Sequence, residues 1–184
     1  MKSYLITDPS FYNSLKEFKK YLTSIYTNHK VDFSCYRDKV SFSKEFAKIF
    51  LDISKSFGIK NILLNSYIDT AKELGFDGVH LTSTQYHDIE YAKKLQLFTI
   101  VSSHDFKDIE NIKKLGADAV TFSPIFYTPH KGVPKGVGML KQAVLLAKPM
   151  KCFALGGIVS QKEITECEKA GAYGFASIRY FTVK

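Results

Sequence analysis

Two loops of this sequence combine residue types that suit an anion-binding site. One contains Thr128, His130 and Lys131, and the other contains the adjacent glycines Gly156 and Gly157. Glycines directly after a strand let backbone N–H groups approach an anion closely, and a nearby lysine adds positive charge. The two loops therefore predict a phosphate-binding site. Two simpler interpretations stay open, a tight turn for the glycines and solvation for the polar loop residues.

A histidine in the first loop could move protons. His130 stands beside Lys131, and an imidazole titrates near neutral pH, so it could transfer a proton between ring positions of a substrate. The alternative for His130 is a solvent-facing loop residue. His80 lies inside a predicted strand, where a hydrogen-bonded core histidine is the simpler interpretation.

Further cations follow other predicted strands. Arg37 and Lys39 alternate beyond the second strand, so both side chains can point to one side and hold a second anionic group. Arg179 follows the eighth strand and offers a bidentate fork to phosphate oxygens. A solvated strand end and a surface salt bridge are the respective alternatives. Few carboxylates accompany these cations, which favours anionic ligands and disfavours a tightly bound divalent metal.

The elements that must position these residues alternate between strand and helix patterns. Short apolar runs predict eight strands, at residues 4–7, 32–36, 61–65, 78–81, 98–102, 119–123, 151–155 and 174–178. Helical spacing of apolar residues fills the intervals between them. This alternation predicts one domain over residues 1–184 with a (β/α)8 TIM-barrel fold, whose sites lie at the carboxyl ends of the strands.

The end of the sequence and its composition limit the class of protein and the kinds of partner that can be expected. Residues 180–184 leave little room for a final helix, so the barrel wall there could be covered by a second copy in a homodimer. The net charge of +8 fits lysine-rich helix faces, and no nucleic-acid-binding motif accompanies it. There is no apolar run long enough to span a membrane, and three scattered cysteines suit reduced thiols. We therefore expect a cytoplasmic protein without nucleic-acid or membrane partners.

Several short segments together resemble the thiamin phosphate synthase family and its close relative, the thiazole tautomerase. They are Tyr4–Asp8, Cys35–Lys39, Leu63–Ser66, Gly75–Leu81, Ser102–His104, Gly116–Asp118, Ser123–Lys131 and Gly156–Ile158. The resemblance covers nearly the whole chain and implies the same barrel fold. It implies that the residues around a thiazole phosphate are Thr128, Lys131, Gly157, Ile178 and Arg179. It implies that those facing a pyrimidine diphosphate are Arg37, Lys39, Asn65 and Ser102.

The departures from the family pattern bear on the reaction. Ser66 and Gln85 stand where the synthases have acidic magnesium ligands, and Cys35 stands where they have a glutamine that meets the pyrimidine. The tautomerase needs no metal, but its catalytic histidine at the end of strand six corresponds to Pro124 here. The leading hypothesis from the sequence is a tautomerase-like enzyme without a cofactor, which moves a proton within a carboxylated thiazole phosphate through His130.

Two alternatives to the tautomerase remain open. One is a thiamin phosphate synthase, a transferase that joins the two substrates and releases diphosphate with magnesium. The other is a non-catalytic protein that binds thiamin phosphates. The partner in every case is a small phosphorylated molecule.

Overall fold

Eight short runs of buried residues form the strands, as expected for strands covered on both faces. In the computed structural model, which describes residues 1–182, they are β1 (Lys2–Ile6), β2 (Phe33–Tyr36), β3 (Ile62–Asn65), β4 (Gly78–Leu81), β5 (Phe98–Ser103), β6 (Ala119–Phe122), β7 (Lys151–Leu155) and β8 (Gly174–Ser177). Neighbouring strands pair in parallel, and β8 pairs with β1 with Leu5 opposite Ser177. The sheet therefore closes into a barrel, which confirms the predicted fold.

Seven helices alternate with the strands over the described residues. They are α1 (Leu15–Asn28), α2 (Lys44–Ser56), α3 (Ile68–Leu74), α4 (Ile89–Lys94), α5 (Phe106–Lys114), α6 (Gly136–Ala147) and α7 (Gln161–Lys169). Helix α7 begins with a capping box, in which the Ser160 amide donates to Glu163 and the Ser160 hydroxyl accepts a backbone N–H. Helix α3 ends at Leu74 and is capped by Gly75, whose left-handed φ of 81° is typical of a glycine cap.

Strand alternation divides the apolar side chains into two layers. The layer inside the barrel includes Tyr4, Cys35, Leu63 and Phe153, all with no exposed surface. The outer layer lies between the strands and the helices, so each strand is buried on both faces. Residues beyond the inner layer at the carboxyl ends of the strands therefore point toward the mouth of the barrel.

The barrel has a single turn of 3₁₀ helix, Arg179–Phe181, after β8 within the described residues. Phe181 is buried against Phe175 and His29, so this turn covers the wall beside β8. The prediction of a short or missing final helix is confirmed for residues up to 182, and residues 183 and 184 lie outside the described part. The homodimer stays a prediction.

The sequence-based boundaries differ from the observed ones by a few residues. Strand β1 begins at Lys2 instead of Tyr4, and β2 begins at Phe33 instead of residue 32. Sequence patterns also missed the 3₁₀ turns Pro9–Phe11 and Tyr86–Asp88, which are too short to show a periodicity. Among the described helices, none has the length and apolar character needed to cross a membrane.

Candidate active site

A cavity of about 620 Å³ opens at the carboxyl ends of the strands. Barrels of this architecture carry their sites at this end. All the site residues that the sequence nominated line it: Arg37, Lys39, Asn65, Ser102, Thr128, His130, Lys131, Gly156, Gly157, Ile178 and Arg179. They come from six different strands or strand-following loops, so closure of the barrel is what brings them together.

The turn after β7 requires glycine at both positions. Gly156 and Gly157 have φ values of 99° and 69°, in the left-handed region that side chains rarely adopt. A Cβ atom at Gly157 would lie 2.5 Å from the Tyr127 carbonyl oxygen and 2.7 Å from the Phe126 Cβ. The Phe126 amide donates to the Gly156 carbonyl at 3.0 Å. The two loops that the sequence singled out are therefore in direct contact.

A serine at the end of β8 holds the neighbouring loops together. The Ser177 hydroxyl donates to the Ile158 carbonyl at 2.8 Å and accepts the Tyr180 amide at 3.1 Å. Within residues 1–182, the N–H groups of Gly157 and Ile178 donate to no protein acceptor. Backbone N–H groups beside a glycine turn are suitable donors for phosphate oxygens. This side of the cavity can therefore bind a phosphate through its main chain.

The part of the cavity lining after β2 carries Arg37, which is held by the residues that follow β1. The Thr7 hydroxyl accepts the Arg37 amide at 2.8 Å and donates to the Arg37 carbonyl at 3.2 Å. The guanidinium Nη1 lies 3.4 Å from Asp8 Oδ2. Arg37 is therefore held in the mouth by one hydroxyl and one carboxylate, with other guanidinium N–H groups left for a ligand.

Two lysines share the mouth with Arg37. Partial desolvation lowers the pKa of Lys39, and the positive charges of Arg37 and Lys131 lower it further. Lys131 therefore lies near enough to Lys39 to influence its charge, although the two residues belong to different loops. Three cations that line one cavity repel one another, and an anion bound between them would relieve that repulsion.

A buried chain of hydrogen bonds runs from the barrel interior to the cavity. Tyr4 Oη shares a hydrogen bond of 2.9 Å with His80 Nδ1, and His80 Nε2 shares one of 3.1 Å with Ser102 Oγ. Burial lowers the pKa of His80 to about 3, with smaller contributions from Arg37 and Lys39. His80 is therefore neutral, as the core interpretation expected. Sequence reasoning missed Tyr4, although strand alternation places it on the inward face with Ile6.

His130 lies in a different environment from His80. It is exposed near the tip of the loop after β6 and has a left-handed φ of 62°. Among the described residues no hydrogen bond orients its ring, and a general base is normally held by a partner. His104, which lines the same cavity, has its Nδ1 3.3 Å from the Ser123 carbonyl oxygen.

The residues at the ends of β3 and β4 do not fit the magnesium ion that the resemblance implies for a synthase. The donors there are the neutral side chains of Asn65, Ser66 and Gln85. Mg²⁺ is normally bound through one or two carboxylates together with substrate phosphates. Over residues 1–182, no three His, Cys, Asp or Glu side chains form a group that could hold a metal.

Comparison with known proteins assigns the chain to a family. A family model described as thiamine monophosphate synthase matches residues 3–181. The chain belongs to this family. The match includes both loops of the candidate site and all eight strands except the first residue of β1.

Named relatives agree with the thiamine monophosphate synthase family. A thiamine-phosphate synthase of Caldicellulosiruptor saccharolyticus is 31% identical over 147 residues, 74% of this chain and 64% of that protein. A protein of Aquifex aeolicus is 36% identical over 124 residues, 65% of each chain. The matched regions thus span just under two thirds of the length of these curated relatives.

A solved structure of the family has the same fold. The thiamine phosphate pyrophosphorylase from Pyrococcus furiosus superposes with a TM-score of 0.81 at 21% identity, covering 98% of this chain and 90% of that one. At this identity the likeness supports the barrel fold, and the chemistry must be argued from this chain's own residues.

Proposed function

We propose that this protein is a transferase that joins a pyrimidine diphosphate to a thiazole phosphate and releases diphosphate. The observation that carries the proposal is that two separate regions, each with groups that could bind an anion, line one cavity. One is the group of Arg37, Lys39 and Lys131, and the other is the main chain around Gly157 and Ile178. A reaction between two phosphorylated substrates needs two such regions.

The charges of the two regions suit different ligands. A diphosphate carries more negative charge than a phosphate monoester, so the three cations of the mouth suit the diphosphate. The glycine turn, the β8 end and Arg179 suit the thiazole phosphate. Asn65 and Ser102 lie at the ends of β3 and β5, where they could contact the pyrimidine substrate.

The proposed chemistry uses charge stabilisation more than proton transfer. The bond between a pyrimidine-borne carbon and the diphosphate oxygen breaks, and the thiazole nitrogen forms a bond to that carbon. Negative charge grows on the departing diphosphate, and Arg37, Lys39 and Lys131 would stabilise it. No step requires the exposed His130, whose ring lacks an orienting partner over the described residues.

Product formation from the two substrates tests this proposal. We expect the purified protein to form thiamin phosphate and diphosphate in equal amounts, with and without added magnesium. We expect Arg37→Ala to reduce kcat/KM by about a hundredfold, the loss typical of a charged group that contacts a developing anion. A folded protein that binds both substrates and forms no product would reject the transferase and favour the non-catalytic binder.

The tautomerase remains the second candidate because His130 lines the same cavity. Incubation with the carboxylated thiazole tautomer, followed by its aromatisation, tests it directly. Aromatisation that is faster than the uncatalysed reaction, and slower in His130→Ala, would favour the isomerase. The relatives named above and Pro124 at the end of β6 favour the transferase.

A further inference from the structure

The cavity has an excess of positive charge that its own carboxylates do not balance. Over the described residues, its lining includes four cations, Arg37, Lys39, Lys131 and Arg179, and one carboxylate, Asp8. A site that binds a magnesium diphosphate normally has carboxylates for the metal. The lining found here has the charge expected for binding the diphosphate anion directly.

Two carboxylates near the cations, Asp8 and Asp38, are engaged in contacts of their own loops. Asp8 Oδ1 accepts the Ser10 hydroxyl at 2.7 Å and the Ser10 amide at 3.1 Å, while Oδ2 faces Arg37. Asp38 lies in an adjoining cleft of about 320 Å³, where its Oδ1 accepts the amides of Val40 and Ser41 at 2.8 and 2.9 Å. Each carboxylate therefore stabilises a loop and has an oxygen committed to it.

A neutral side chain connects the loops after β3 and β4. Gln85 Oε1 accepts the Thr82 amide and the Thr82 hydroxyl, both at 3.2 Å. Gln85 Nε2 donates to the Ser66 carbonyl, also at 3.2 Å, and lies 3.5 Å from Asp88 Oδ2. An ion bridging carboxylates of the two loops would hold them together, and here one amide does so by hydrogen bonds. The Gln85 oxygen is consequently not available as a metal ligand.

We propose that this site binds a diphosphate group without a divalent cation, through Arg37, Lys39 and Lys131. The identity of the natural ligand rests on the proposed function, but the binding of a diphosphate does not. The three cations take the place of the metal because each can donate charged hydrogen bonds to the bridging and terminal oxygens. Partial desolvation, and then the charges of Arg37 and Lys131, lower the pKa of Lys39, which agrees with three cations that line one cavity.

Calorimetric titration of the full chain with inorganic pyrophosphate tests the inference. We expect binding in EDTA, and we expect added magnesium to leave the affinity unchanged or to weaken it, because magnesium complexes the free ligand. Binding that is detected only with magnesium, or that magnesium tightens by about tenfold or more, overturns the inference. Failure to bind pyrophosphate under either condition also overturns it.

Matched lysine variants identify the site of binding. Lys39→Ala and Lys131→Ala should each weaken pyrophosphate binding in EDTA by about tenfold. Lys55→Ala is the control, because Lys55 is an exposed lysine in the last turn of α2, away from the cavity. Equal losses in all three variants would mean a non-specific effect of net charge and would reject the proposed site.

A reverse variant introduces the missing carboxylates. The double variant Ser66→Asp with Gln85→Asp should lose affinity for pyrophosphate in EDTA and regain it with magnesium. Circular dichroism checks that it folds, and the lysine variants test the inference independently if it does not. Metal-free binding of pyrophosphate without turnover would retain this inference and reject the transferase. Turnover, together with pyrophosphate binding that requires magnesium, would retain the transferase and reject this inference.

Discussion

Gly157 shows why single residues decide the shape of this site. Its left-handed φ and the close approach of Tyr127 and Phe126 leave no room for a side chain. Gly58 also has a left-handed φ, of 75°, but a Cβ atom there would meet nothing within 4 Å. Substitutions at these two glycines can therefore distinguish the cost of backbone strain from the cost of steric conflict.

We predict that Gly157→Ala lowers the free energy of unfolding by about 2–4 kcal/mol, the sum of left-handed strain and overpacking. Gly58→Ala should lose about 1–2 kcal/mol from strain alone. Urea denaturation measures both. Equal losses would show that the loop after β6 moves aside at no cost, in which case Gly157 is a turn residue only.

His80 makes stability depend on pH through its buried, neutral state. The unfolded chain takes up a proton near the ordinary histidine pKa of 6.5, whereas folded His80 takes one up near 3. Its contribution to stability is therefore complete above pH 6.5 and is lost as the pH falls toward 3.

We predict that the free energy of unfolding falls between pH 6.5 and 5, with up to about 1.4 kcal/mol per pH unit due to His80. Denaturation of wild type and His80→Gln across this window measures the difference, because the variant lacks the titrating ring. Parallel pH profiles for the two proteins would contradict the assignment. The pH window lies above the ordinary pKa range of carboxylates, which limits their contribution.

At the scale of elements, the site depends on contacts between successive loops. The β6 loop pairs with the turn after β7, and Ser177 joins that turn to the end of β8. Gln85 joins the loops after β3 and β4 in the same way. Each of these contacts is a hydrogen bond to a main-chain group, so the arrangement of the loops does not depend on their exposed side chains.

We predict that Ser177→Ala raises the KM for thiazole phosphate, because the loops after β7 and β8 lose their common hydrogen-bonding partner. The expected loss of stability is about 1–3 kcal/mol, from the two main-chain groups left unpaired. Ser103→Ala is the control. The Ser103 hydroxyl is buried and donates to the Thr121 carbonyl at 3.0 Å, outside the cavity lining. An unchanged KM in Ser177→Ala would show that this serine does not contribute to phosphate binding.

At the scale of the whole molecule, closure of the barrel concentrates positive charge at one end. The chain carries a net charge of +8, and Arg37, Lys39 and Lys131 meet at the mouth. Such a field attracts anions over a distance set by the salt concentration. Under the proposed function, the same charges would contribute both to affinity and to the rate of encounter with the phosphorylated substrates.

We predict that pyrophosphate binding weakens steadily with salt, because the Debye length falls from about 10 Å at 0.1 M to about 3 Å at 1 M. Calorimetry over a series of potassium chloride concentrations measures this. Lys39→Ala should show a shallower dependence than wild type, and Lys55→Ala should match wild type. A salt dependence that is identical in Lys39→Ala would place the ligand elsewhere.

The sequence by itself determined the alternation of strands and helices, and hence the barrel. Its strands and helices are local patterns that each segment carries alone, so the bounds of β4 could be predicted to the residue. It also nominated Arg37, Lys39, Lys131 and the Gly156–Gly157 turn, because residues that follow parallel strands must share one end of the barrel. The roles of these residues remain proposals.

Only the tertiary structure decided which side chains interact. The link between Tyr4 and His80 joins residues 76 positions apart, and the contact between Gln85 and Ser66 joins two loops. The lowered pKa of Lys39 depends on Arg37 and on Lys131 from a distant loop. Distances and burial of this kind arise when the barrel closes, and no local pattern encodes them.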